Sequence, residues 1–265
     1  MVSASHLFLL NRDSWHMWLV LCPSTDVAAL WAYEGLKSRG LTPLELVCAE
    51  ELACSLHWEH QVSSSGIHVT ITLADGRTIT HHAVRGVLNR LAHLPQEHLA
   101  LGESSDRDYA GQELTAFYMS WLYAMPRPML NLPTAQGLCG AWRHISEWIW
   151  LAGKAGLPTM PYRQSSFDKS KEEQARGSLT SAQVPTKTVI VVNGHIAGVS
   201  PPEHITEGCR RLAELSGTGL LGIEFTADGT SSWTFSGATP LPDLRLGGDG
   251  LLDLMASLFQ EGGSA

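Results

Sequence analysis

The apolar positions of this chain come in short continuous runs and in helical stripes, and the two alternate. Met17-Trp18-Leu19-Val20-Leu21-Cys22 is unbroken and stopped by Pro23, the pattern of a buried strand. Ser24-Thr25-Asp26 then offers N-cap side chains ahead of Val27, Leu30, Trp31 and Leu36, which recur at helical spacing until Gly40. Leu44 to Val47 is a second apolar run, so the chain opens as a β-α-β unit.

Polar punctuation divides the rest of the chain. His68 to Leu73 and Arg77 to Thr80 flank Ala74-Asp75-Gly76, a hairpin signal. Val84 to Leu88 predicts another buried strand, ending in Asn89-Arg90. A helix is expected from about Asp108 to Tyr123, broken by Pro126 and Pro128. Met129-Leu130-Asn131 reads as a short strand and Trp142 to Ala155 as a helix. Gln164 to Val184 is polar and lacks the apolar residues that offset ordering entropy, so a mobile connector is expected around 164–184. Thr188 to Val192 and His195 to Val199 form a hairpin about Asn193-Gly194. Glu203 to Leu215 is helical, two strands follow, and Leu251 to Phe259 closes the chain as a helix.

At 265 residues the chain can hold two small domains, and its 44% hydrophobic content suits a globular protein. A formal charge of −8 without any Lys/Arg run argues against nucleic acid as a partner. The five cysteines are dispersed with no CxxC pair, which suits a reducing compartment. No secretory pattern stands at the N-terminus, and Met17 to Cys22 is far too short to span a bilayer. A cytoplasmic protein is expected, without membrane contact.

Candidate chemistry is sparse. Gly217-Thr218-Gly219-Leu220-Leu221-Gly222 satisfies GxGxxG, but a helix precedes it and a strand follows, the reverse of the dinucleotide fingerprint. It reads as a helix C-cap. Cys48, Cys54, His57 and His60 do not have the spacing of paired zinc knuckles. His81-His82 at a strand end points its two rings to opposite faces. No metal site is therefore expected. Trp142, Arg143, His144 and Trp148 begin a helix rich in tryptophan; core packing is the simpler reading, and a partner-docking patch is the sharper one. Asp228 and Asp249 each precede a glycine and read as turn residues.

The order of motifs adds a further implication. Ala83-Val84-Arg85-Gly86-Val87-Leu88-Asn89-Arg90, then Glu113 on a helix, then Pro128-Met129-Leu130-Asn131-Leu132-Pro133 and Ala155-Gly156-Leu157-Pro158 follow one another along the chain. Leu220-Leu221-Gly222-Ile223-Glu224-Phe225, Trp233 to Pro240, and Gly247-Gly248-Asp249 complete the series. In this succession the chain resembles the ATP-grasp carboxylate-amine ligases, in particular the branch that modifies ribosomally made peptides. The resemblance implies an α/β (α+β) fold: a small pre-ATP-grasp-like α/β domain over 1–130, then a reduced ATP-grasp-like domain over 131–265.

Two departures from that family stand out. Family members hold magnesium with an acidic strand end and a Glu-x-Asn-Pro strand; here Glu224 stands for the first ligand, while Gly237 and Thr239 fall where the Glu and Asn belong. The segment that clamps the nucleotide is represented only by Met160 to Lys187, too short for a β-α-β unit. The resemblance thus implies a truncated, non-catalytic homologue acting as a binding or scaffold subunit. Its partner is expected to be a second copy or the active enzyme of a peptide- or small-molecule-modifying pathway. Glu224 is the only retained candidate for chemistry. No cofactor is expected; magnesium-ATP enters only on the alternative of a ligase with a rebuilt metal site, while a fold recruited for other chemistry would draw on histidines or Glu224 for acid-base function.

Overall fold

The computed structural model describes residues 16–64, 66–95, 99, 103–164, 186–226 and 233–262. The expected connector around 164–184 and Asp228 lie almost wholly or wholly outside them. The chain divides into two units, 1–139 with 256–265, and 140–255. That division falls after Cys139 and returns the end of the chain to the first unit, whereas the motif order implies a single boundary at 130/131.

The first unit begins β1 (Met17–Cys22), α1 (Val27–Ser38), β2 (Leu44–Cys48), α2 (Ala49–Ala53). Asp26 caps α1, its Oδ1 accepting from the N–H groups of Ala28 and Ala29, which satisfies donors the helix cannot. Next come β3 (His57–Ser63), β4 (Gly66–Thr72), β5 (Thr78–Thr80), β6 (Val84–Asn89), α3 (Ser104–Ala124) and β7 (Met129–Leu130). A parallel sheet has the order β2-β1-β6-β7, and β3-β4-β5 form a separate antiparallel sheet. The continuous apolar run of β1 follows from burial on both sides. One core joins Leu19, Leu21 and Val87 of the parallel sheet to Val69 and Ile71 of β4 and to Phe117, Tyr118 and Trp121 of α3. Within it the Tyr118 hydroxyl donates to the Leu52 carbonyl at 2.6 Å, so the buried phenol keeps a partner.

The second unit holds α4 (Ile145–Lys154), β8 (Thr186–Val192), β9 (His195–Gly198), α5 (Glu203–Ser216), β10 (Leu220–Thr226) and β11 (Thr234–Thr239). Helix α6 (Gly248–Gly262) starts in this unit and ends in the first. The sheet order is β11-β10-β8-β9, antiparallel throughout. Asn193 and Gly194 both have positive φ, 44° and 82°, as a two-residue hairpin turn requires. Gly217 ends α5 in the left-handed region at φ 65°, so the GxGxxG stretch is a helix cap, as its reversed context implies. Val189, Val191, Leu221, Ile223 and Phe225 pack one sheet face against α4 and α5 through Trp148, Leu151, Ile205, Cys209 and Leu212. No helix among the described residues is long and apolar enough to cross a membrane.

Candidate functional site

Alternation along β10 sends Leu221, Ile223 and Phe225 into the core and leaves Gly222, Glu224 and Thr226 on the opposite face. Glu224 is exposed there. Its cross-strand neighbours are Thr188 on β8 and Gly237 on β11, and directly paired residues share a face. A Cβ on Gly237 would lie 3.6 Å from Glu224 Oε2, so this is the position from which a second carboxylate would meet the first. Glycine supplies nothing.

Thr239, where the resemblance implies a third ligand, stands opposite Gly222. Its Oγ1 accepts from the Leu241 N–H at 3.1 Å and is thereby turned onto its own backbone. Lys187 pairs with Phe225 and so belongs to the other face, where its ammonium lies 4.6 Å from the Trp233 ring centre. Asp243 is tied to Arg245 at 2.7 Å. Magnesium demands a near-octahedral shell of oxygen ligands, commonly one or two carboxylates with phosphates and waters. One exposed carboxylate beside a glycine and an engaged threonine does not fit that demand. Nor does the face present a lysine to a phosphate among the described residues.

The tryptophan-rich segment divides differently from the sequence expectation. Helix α4 starts at Ile145, because His144 caps it with Nδ1 accepting from the Ser146 N–H at 3.3 Å. Trp142 therefore precedes the helix and is 71% exposed, while Trp148 is 4% exposed inside the core. Burial removes Trp148 from any docking patch; the exposed tryptophans of this segment are Trp142 and Trp150. Arg143 is occupied within its own unit, paired with Glu147, donating to the Ser216 carbonyl at 3.3 Å and lying over the Trp148 ring.

At the ends of the parallel strands, Asn89, Arg90 and Asn131 are buried. Asn89 Nδ2 donates to the carbonyls of Asn131 and Leu138 at 2.8 and 2.7 Å, and Arg90 Nε pairs with Asp26 at 2.7 Å. These bonds hold the strand ends together; they do not present a reactive group.

The histidine pair also departs from expectation. His81–Ala83 is a single turn of 3-10 helix, not the continuation of β5. A strand would have sent the two rings to opposite faces; the turn brings both beside His68. The signal that could have found the group was His68 itself. Thr70 stands opposite Thr80 in the β4–β5 ladder; His68 lies two residues before Thr70 on β4, and His82 lies two residues after Thr80, in the turn. Cys48, Cys54, His57 and His60 form no such convergent group among the described residues.

No protein-family model matches the chain, and no curated protein matches it. Solved structures do. The macrocyclase MdnC of Microcystis aeruginosa MRC, bound with precursor peptide MdnA, gives a TM-score of 0.69 at 12% identity, covering 92% of this chain and 100% of that one. A RiPP-associated ATP-grasp ligase of Chryseobacterium gregarium, in complex with ADP and a leader and core peptide, gives 0.66 at 10% identity, covering 91% and 97%. The ATP-grasp ligase PsnB, complexed with a phosphomimetic variant of its minimal precursor, Mg and ADP, gives 0.64 at 16% identity, covering 98% and 100%. Likeness at such identities speaks for architecture: the chain has the ATP-grasp fold that its ordered motifs implied.

Proposed function

We propose that this chain is a non-catalytic ATP-grasp homologue, a binding or scaffold subunit for an enzyme that modifies a peptide. The observation that carries the reading is Gly237 directly opposite Glu224, which leaves one carboxylate where the fold's chemistry needs a set. Similar folds have been solved with precursor peptides, which supports a peptide or protein as the partner class. Trp142 and Trp150, 71% and 61% exposed, are the side chains of α4 and its approach that remain available for contact with an active enzyme or a second copy. Five unpaired cysteines are consistent with work in the cytoplasm.

Sedimentation velocity tests the scaffold role. The full chain is run alone and then mixed with an intact ATP-grasp ligase and its precursor peptide from the same source. Co-sedimentation, weakened in a Trp142→Ala, Trp150→Ala double variant, is the expected result. Independent sedimentation of a monomeric chain contradicts it.

A further inference from the structure

Three imidazoles of the first unit meet where the small antiparallel sheet ends. His68 stands on β4, and the turn after β5 carries His81 and His82 back over it. Ring centres are 5.6 Å apart for His68 and His81, 5.6 Å for His68 and His82, and 5.3 Å for His81 and His82. One ring nitrogen from each lies within 4.8 Å of the others. We propose that His68, His81 and His82 form a binding site for a zinc-type divalent transition ion.

Nitrogens on a tetrahedral zinc ion sit about 3.3 Å apart, given bonds of about 2.0–2.1 Å. Small side-chain rotations close the present separations to that value, and His82, which is exposed, is free to make them. Two of the rings already have a hydroxyl partner on one nitrogen. Thr70 Oγ1 lies 3.1 Å from His68 Nε2, and Thr80 Oγ1 lies 3.4 Å from His82 Nε2. With Nε2–H donated to a hydroxyl, each Nδ1 keeps its lone pair for the metal, the tautomer control that ligating histidines generally have.

His81 is the third ligand and makes an exchange. Its Nδ1 accepts from the Val69 N–H at 3.2 Å, and this bond gives way to the ion. A set of imidazoles without a carboxylate favours zinc, copper or nickel over magnesium or calcium. Three protein ligands leave a fourth position for water or a donor from a bound partner.

The test is calorimetric titration of the full chain with zinc chloride in a non-chelating buffer at neutral pH. One ion per chain is expected. H68Q and H82Q should each weaken binding at least tenfold while melting, metal-free, as the wild type does. H195Q, on an exposed position of β9, should bind zinc unchanged. Cobalt substituted for zinc should give visible absorption bands of a nitrogen-bound site in the wild type and lose them in H68Q. Equal zinc affinity in the wild type, H68Q and H82Q overturns the proposal, and so does the absence of any site tighter than in those variants.

Discussion

Trp142, Trp148 and Trp150 lie within one short stretch, and their surroundings separate them: 71%, 4% and 61% exposed. Trp148 fills the core beside Leu151 and Ala152, so Trp148→Ala should cost about 3–5 kcal/mol of stability, the scale of a large aromatic deletion. Trp142→Ala should stay within about 0.5 kcal/mol by the same denaturant titration, as an exposed position does. Buried thiols give a second expectation. Burial pushes Cys209 up to about 12, and Cys22 and Cys139 likewise. The folded chain keeps those protons after the unfolded chain has released its own. The resulting stabilisation is complete below the unfolded thiol value of 9.0 and is lost as pH rises toward 12. Denaturation midpoints should therefore fall from about pH 8 to about pH 10, and fall less in Cys209→Ala. A midpoint that does not change over that range contradicts the burial of these groups. At this scale the sequence marked Trp142 and Trp148 together as candidates, and the face of α4 that carries Leu151 and Ala152 buries Trp148. His144 acting as a cap leaves Trp142 ahead of the helix, and nothing in the apolar spacing encodes that.

Elements with strong local punctuation were legible. Pro23 and the Asp26 cap delimit β1 and α1, and Asn193-Gly194 delimits β8 and β9, because in each case a neighbouring residue forces the break. Strand β3 was not legible. Its sequence His-Trp-Glu-His-Gln-Val-Ser is mostly exposed, and it is a strand only because β4 beside it supplies the ladder. The turn at His81 was illegible for a related reason: its backbone is decided by the junction with β6, not by its own residues. The start of α1 carries a prediction of its own. Asp26 both caps the helix and pairs with Arg90, whose side chain is 4% exposed. Asp26→Ala removes the cap and leaves a buried guanidinium without its carboxylate, so a loss of about 3–5 kcal/mol is expected in equilibrium unfolding. A loss below about 1 kcal/mol would mean that Arg90 is satisfied elsewhere and the pair is incidental.

For the whole molecule, the fold was legible from the succession of short motifs, each weak alone, because order along the chain restricts topology more than any single motif does. Gly237 and Thr239 could be read as departures from the family pattern, and the register sets Gly237 opposite Glu224 and Thr239 opposite Gly222. The three-histidine cluster was not legible, since it depends on a tertiary approach between a strand and a turn. On the proposed reading, architecture and chemistry are separate, and a nucleotide is the ligand that tests the separation. Calorimetric titration of the full chain with magnesium-ATP is the most direct measurement. No binding heat is expected at sub-millimolar nucleotide. A micromolar, magnesium-dependent site that disappears in Glu224→Gln would contradict the non-catalytic reading and restore the ligase one.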